Sequence, residues 1–186
     1  MRKILGLLVL ATLVFTSCGD DDDSPDYTLK DKSEIIGNHQ GKLKITVNLM
    51  NAPTKTMETD VRFQKTTTND NQLNLFTNEL GGPIIASDFK KSKDYDFYTF
   101  NLANIAKSVF IGNEIPDFYH EWYSIYDISK IELIGLTLDS RAKYVRASNT
   151  MSFTYKGMVY IYQKVDGIDK KVSDSNITLE YYDLKK

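Results

Sequence analysis

The chain has 186 residues, a formal net charge of −2 and 41% hydrophobic residues, enough apolar content to build a core and too much for a disordered polypeptide. The near-neutral charge offers no basic field for nucleic acid or anionic lipid. Cys18 is the only cysteine, so no intrachain disulfide forms, and two histidines far apart in sequence, His39 and His120, make a metal site improbable.

The first element is a leader. Met1-Arg2-Lys3 is cationic, Ile4 to Phe15 carries no charge, and Thr16-Ser17-Cys18 follows. This is the order of a secretory signal, and its apolar run is too short for a hydrocarbon core of ~30 Å, which takes about 20 residues. Phe15-Thr16-Ser17-Cys18 resembles the bacterial lipobox, with Phe15 in place of the usual Leu or Val. The resemblance implies cleavage after residue 17, acylation of Cys18 and a lipid-held N-terminus, an attachment that is stable once two or more acyl chains are present. Loss of Arg2 and Lys3 moves the net charge from −2 to −4. Asp20 to Asp23 then repel one another and read as a solvated tether over residues 18–33. An acidic run directly after the lipidated Cys is similar to the surface-export signal of Bacteroidetes lipoproteins. It implies the cell-surface side of the outer membrane, with the periplasmic face as the alternative.

The body, residues 34–186, reads as one β-rich domain, with twelve Tyr and nine Phe against one Trp. Glycine and proline are few, so Asn and Asp must also make turns. Leu43, Ile45, Val47 and Leu49 alternate with polar residues and predict a half-buried strand, as do Met57, Thr59, Val61 and Phe63, which pairs antiparallel with it. Leu73, Leu75 and Ile84-Ile85 mark shorter strands. Asn101 to Phe110 reads as a short helix, because Leu102, Ile105, Ala106 and Val109 fall at helical spacing and Asn101 suits a cap. Strands return over Lys130 to Leu138, Ser148 to Lys156 and Gly157 to Val165. Asp166-Gly167 is a hairpin turn signal, and Ile177, Leu179 and Tyr181 share a face of the last strand. About eight antiparallel strands with short turns read as a barrel or sandwich.

The lipobox and tether, the opening Ile36-Gly37-x-x-x-Gly41-x-Leu43, a meander interrupted by a helix and a closing hairpin rich in Tyr and Val are similar to the calycin-like β-barrel lipoproteins of Bacteroidetes. The resemblance implies an eight-stranded up-and-down barrel of the lipocalin type and transfers no activity, cofactor or site residue.

No catalytic elbow, phosphate loop or zinc-protease helix is present, since His120-Glu121 lacks its second His. The expectation is therefore a non-enzyme without cofactor or metal. Phe118 to Tyr126 holds five aromatics in nine residues. It either plugs one barrel mouth or presents an aromatic platform, whose ligand-binding residues are then Tyr119, Trp122, Tyr123 and Tyr126. Two functions follow: a binding module for a glycan, peptide or small apolar ligand, or a structural or inhibitory protein-interaction domain without a small-molecule site. Neither involves nucleic acid. The leader yields the first testable outcome: Cys18→Ser removes the acceptor thiol, so fatty-acid labelling in cells disappears and the precursor stays uncleaved. Labelling at the wild-type level disproves the anchor.

Overall fold

A computed structural model describes residues 31–48, 54–92, 95–116, 119 and 128–186. The expected roles of Cys18, Leu49, Trp122, Tyr123 and Tyr126 lie outside the described residues. The fold is mainly β, an antiparallel sheet of ten strands: β1 (Gly37–Val47), β2 (Lys55–Lys65), β3 (Leu73–Phe76), β4 (Ile84–Lys91), β5 (Phe97–Leu102), β6 (Ile105–Ile111), β7 (Ile128–Leu138), β8 (Ala142–Val145), β9 (Thr150–Val165) and β10 (Ile168–Lys185).

Eight strands close a ring, in the order β10-β1-β2-β3-β4-β5-β8-β9 with β9 paired back to β10. Chain order is almost kept. β5 leads into β6 through Ala103-Asn104, and β7 leads into β8 through residues 139–141. β5 pairs with β8 inside the ring, while β6 and β7 pair with each other, and β7 with the outer half of β9. The outer halves of β9 and β10 thus carry a four-strand extension beyond the ring.

The alternation read in the sequence sets the core. Leu43, Ile45 and Val47 point inward and are buried, as are Thr59, Val61 and Phe63, and β1 pairs antiparallel with β2 from Gly37↔Phe63 to Ile45↔Lys55. Aromatics fill the interior: Phe153 stacks on Tyr181 at 4.5 Å, Phe89 on Phe100 at 5.0 Å, and Phe63 meets Phe100 edge-on at 5.8 Å. In a ring this small the inward side chains meet across the middle.

The helix expected over Asn101–Phe110 is absent. Those residues finish β5 and form β6, which pairs with β7 from Ile105↔Leu136 to Ile111↔Lys130. Of the four residues at helical spacing only Leu102 is buried; Val109 is 41% exposed and Ala106 is exposed. β-Branched Ile105, Val109 and Ile111 favour the extended backbone, and β7 supplies the hydrogen-bond partners that decide the matter. Gly157 does not start a new strand, since β9 runs unbroken from Thr150 to Val165. β8 is short and carries no pattern of its own.

Asn and Asp do make the turns. Among the described residues the non-glycine positions with positive φ are Asp88, Asn149, Asp166 and Asp183. Asp166 (φ 53°) and Gly167 (φ 78°) form the two-residue hairpin between β9 and β10, in the primed geometry that suits strand twist. Gly41 has a different reason. A Cβ there would lie 2.7 Å from the Asp183 carbonyl oxygen and the Leu184 backbone, where β10 bulges against β1.

The 3-10 turn Asp31–Glu34 packs against the ring through Lys32 and Glu34. Lys32 is buried there, 3.3 Å from the Asp70 carbonyl and 3.3 Å from Asn71 Oδ1, with its ammonium 5.0 Å from the centre of the Phe89 ring. Arg146 grips Glu34 through two hydrogen bonds of 2.8 and 2.9 Å and reaches Asp96 at 3.0 Å. Residues 31–33, assigned by composition to the tether, therefore belong to the folded body. His39 Nε2 lies 2.7 Å from the Ile35 carbonyl, and burial lowers the pKa of the imidazole despite that contact.

The strand register predicts contrasting melts. Ile45→Ala, at a fully buried position, costs about 2–5 kcal/mol. Lys44→Ala, which breaks only the exposed 2.7 Å pair with Glu180, leaves stability almost unchanged. Equal losses in urea denaturation contradict the register.

Candidate functional site

Two outward faces of the sheet differ in how their polar groups are used. On the extension, register places Val109, Glu132, Tyr160 and Asp174 in one row and Ile111, Lys130, Tyr162 and Lys171 in the next. Glu132 accepts from Lys107 at 2.8 Å, Lys130 at 3.2 Å and the Tyr162 hydroxyl at 2.9 Å. Burial alone would raise the Glu132 carboxyl, but those hydrogen bonds bring it down to about 2. Lys130 sits 3.8 Å above the Tyr162 ring and Lys171 4.6 Å above Tyr160. Charges and rings there satisfy one another.

The face of β1 and β2 is different. Alternation turns Asn38 and Gln40 outward on β1, and Asp60 and Arg62 outward on β2. Register sets Asn38 opposite Arg62 and Gln40 opposite Asp60, and the β2–β3 ladder sets Arg62 opposite Phe76. Thr77 and Asn78 follow Phe76 as the chain leaves β3, and the loop bends back at Gly81 (φ 66°) and Gly82 (φ 48°), two consecutive left-handed positions suited to glycine. Floor and loop enclose a groove of about 700 Å³. The Arg62 guanidinium lies 5.1 Å from the Phe76 ring centre. Among the described residues Asn38, Gln40, Asp60 and Asn78 spend no side-chain hydrogen bond or ion pair on the protein.

The loop that walls the groove is fixed from inside the ring. Glu79, next to Asn78, turns inward and is 5% exposed. Its carboxylate accepts from Thr59 Oγ1 on β2 at 2.9 Å, from Thr77 Oγ1, and from the Tyr181 hydroxyl on β10 at 3.5 Å. Burial first, and the neighbouring Glu79 charge second, push the Tyr181 phenol far above its ordinary range, so it stays a donor. Leu80 is buried beside Glu79, and Ser108 Oγ on β6 donates to the Leu80 carbonyl at 2.6 Å. A second cleft of about 400 Å³ runs between Gly81–Ile85 and residues 103–109.

Of the aromatic residues expected to carry a ligand, Tyr119 lies among the described residues. It is fully buried, and its phenol is close enough to Tyr181 to influence that hydroxyl. Among the described residues no group of three His, Cys, Asp or Glu is placed to hold a metal ion, and no helix is long and apolar enough to cross a membrane. Of the groove residues, Asp60 and Arg62 were visible in the sequence as the polar half of an alternation, while Asn38 and Gln40 precede the strand read from Leu43. Their convergence depends on register and on the 77–82 loop.

Comparison with known protein families, characterised proteins and solved structures finds no match to the chain.

Glu79 generates a stability test. Glu79→Ala leaves the buried hydroxyls of Thr59, Thr77 and Tyr181 without their acceptor, at about 1–3 kcal/mol for such an orphaned group. Glu79→Gln keeps an acceptor oxygen and loses less. Chemical denaturation showing no loss for Glu79→Ala means the carboxylate does not anchor the loop.

Proposed function

We propose that the protein is a lipid-anchored binding module of the bacterial outer membrane, attached through Cys18 and carried by the Asp20–Asp23 tether to the cell-surface side. The leader, the lone cysteine and the acidic run support the anchor. The closed antiparallel ring, with neighbours almost in chain order, supports a calycin-like up-and-down barrel. Its ligand sits outside the ring, in the groove of Asn38, Gln40, Asp60, Arg62, Phe76 and Asn78. The observation that carries this reading is the set of four unengaged polar side chains converging on one concave surface beside a half-buried aromatic ring. An interior packed with aromatics argues against an apolar ligand held inside the barrel.

A protein-interaction role has its own support. Among the described residues five of the six exposed large hydrophobic residues, Val109, Ile111, Val165, Ile168 and Val172, lie on the extension.

The test is a thermal-shift screen of the lipidated full-length protein in detergent against oligosaccharides, extended peptides and apolar small molecules. Compounds that raise Tm lose their effect on the double variant Asp60→Ala, Phe76→Ala. Hits that act equally on that variant bind elsewhere and defeat the groove reading.

A further inference from the structure

The geometry points to an uncharged carbohydrate chain as the ligand of the groove, an inference that rests on the groove being the binding site.

Charge is the first discriminator. Among the described residues the lining holds one carboxylate, Asp60, and one guanidinium, Arg62, and no lysine. A polyanion would meet Asp60, and its only cation is already laid on the Phe76 ring. A cationic ligand would meet Arg62 two residues from Asp60 on the same face of β2. Neither sign of charge is favoured, so long-range attraction contributes little.

Backbone chemistry is the second. Across the floor, β1 and β2 are paired with each other through Asn38↔Arg62 and Gln40↔Asp60. Strand addition of a peptide draws its affinity from free main-chain groups at a sheet edge. The floor is a sheet face at Asn38↔Arg62 and Gln40↔Asp60, and β2 presents an edge only before Arg62, where its pairing with β3 stops. On the face, recognition falls to side chains.

The side chains are the third. Asn38, Gln40 and Asn78 each end in an amide that donates and accepts in one plane, and the Asp60 carboxylate accepts two hydrogen bonds. Neighbouring hydroxyls on a sugar ring both donate and accept, and a planar carboxylate or amide engages two of them at once. The apolar partner is Phe76, half-buried at the end of its row. It suits the C–H face of a sugar, which needs apolar contact without charge. The groups form two rows across strands spaced ~4.8 Å, Asn38–Arg62–Phe76 and Gln40–Asp60, so polar contacts recur across the floor. A repeating oligomer uses such rows better than a compact molecule with one polar end. A groove of about 700 Å³ takes a short oligosaccharide segment.

The experiment uses the intact lipidated protein in detergent, titrated with neutral hexasaccharides of glucose, mannose and xylose. Oligogalacturonate supplies the acidic arm and a neutral extended peptide pool the third. The expected result is saturable binding of at least one neutral hexasaccharide, insensitive to added salt. It weakens about tenfold or more in Asp60→Asn and in Phe76→Ala, which remove a charge-assisted acceptor and the apolar contact. Both residues lie outside the sealed core, and unchanged circular dichroism and Tm confirm that the variants fold. If only oligogalacturonate or peptide binds, and Phe76→Ala weakens it, the assignment to an uncharged carbohydrate is overturned while the groove stands. If a neutral hexasaccharide binds both variants as it binds the wild type, the groove itself is refuted. If no neutral hexasaccharide binds, the inference is wrong.

Discussion

Strand β10 is held on both sides, hydrogen-bonded to β9 from Ile168 to Lys185 and to β1 from Ile177 onward, and that double pairing turns an open sheet into a ring. Everything else leans on it. The Asp166-Gly167 turn fixes its register against β9, and a slip of one residue would turn Ile177, Leu179 and Tyr181 out of the core together. Closing on β1 brings the bulge at Asp183 to 2.7 Å from where a side chain would start, inside van der Waals contact, so the facing residue is Gly41. The same closure brings the Tyr181 hydroxyl from the last strand to Glu79 in a loop a hundred residues earlier. The outer groove thus inherits its geometry from a contact inside the ring.

Burying a carboxylate is expensive unless hydrogen bonds replace its water. Glu79 receives them from three places, β2, its own loop and β10, rather than from a cation. Three donors on separate elements define one position for the carboxylate, and with it one path for Thr77 to Gly82. A leucine would bury at lower electrostatic cost but would fix no such position. The polar choice makes sense where the loop has a surface to shape on its other side. Ser108 adds a fourth tie, from the extension, through the Leu80 carbonyl.

How much of this was legible depended on range. Period-two patterns in Leu43 to Val47 and Met57 to Phe63 gave the first two strands and their inward faces, because alternation is a property of one segment. Asp166-Gly167 gave the closing hairpin for the same reason. Asn101 to Phe110 misled because its apolar spacing fits a helix in isolation, while β7, which captures it as a strand, comes seventeen residues later. β8 has four residues and no period to detect. Glu79 carries no signal in its own segment, since two of its three donors are twenty and a hundred residues away. The aromatic run around Tyr119 drew attention by composition, yet Tyr119 packs inward. Asp60 and Arg62 were legible as outward-facing, whereas Asn38 and Gln40 precede the strand read from Leu43, and Phe76 joins them only through a pairing that links separate strands.

Unengaged polar groups on a surface are ordinary, because water satisfies them. Exposure therefore does not by itself mark a site. On the extension the polar groups are spent on one another: Glu132 takes two lysines and a tyrosine, and two lysines cover two tyrosine rings. The groove keeps its amides and Asp60 free, in a concavity, beside a loop pinned by four hydrogen bonds from Thr59, Thr77, Tyr181 and Ser108. A rigid wall lowers the entropy lost when a ligand docks, and free polar groups incur no penalty for breaking internal bonds first. In a small ring whose middle is taken by Phe63, Phe100, Tyr155 and Tyr181, such preorganisation has to be built on the outside.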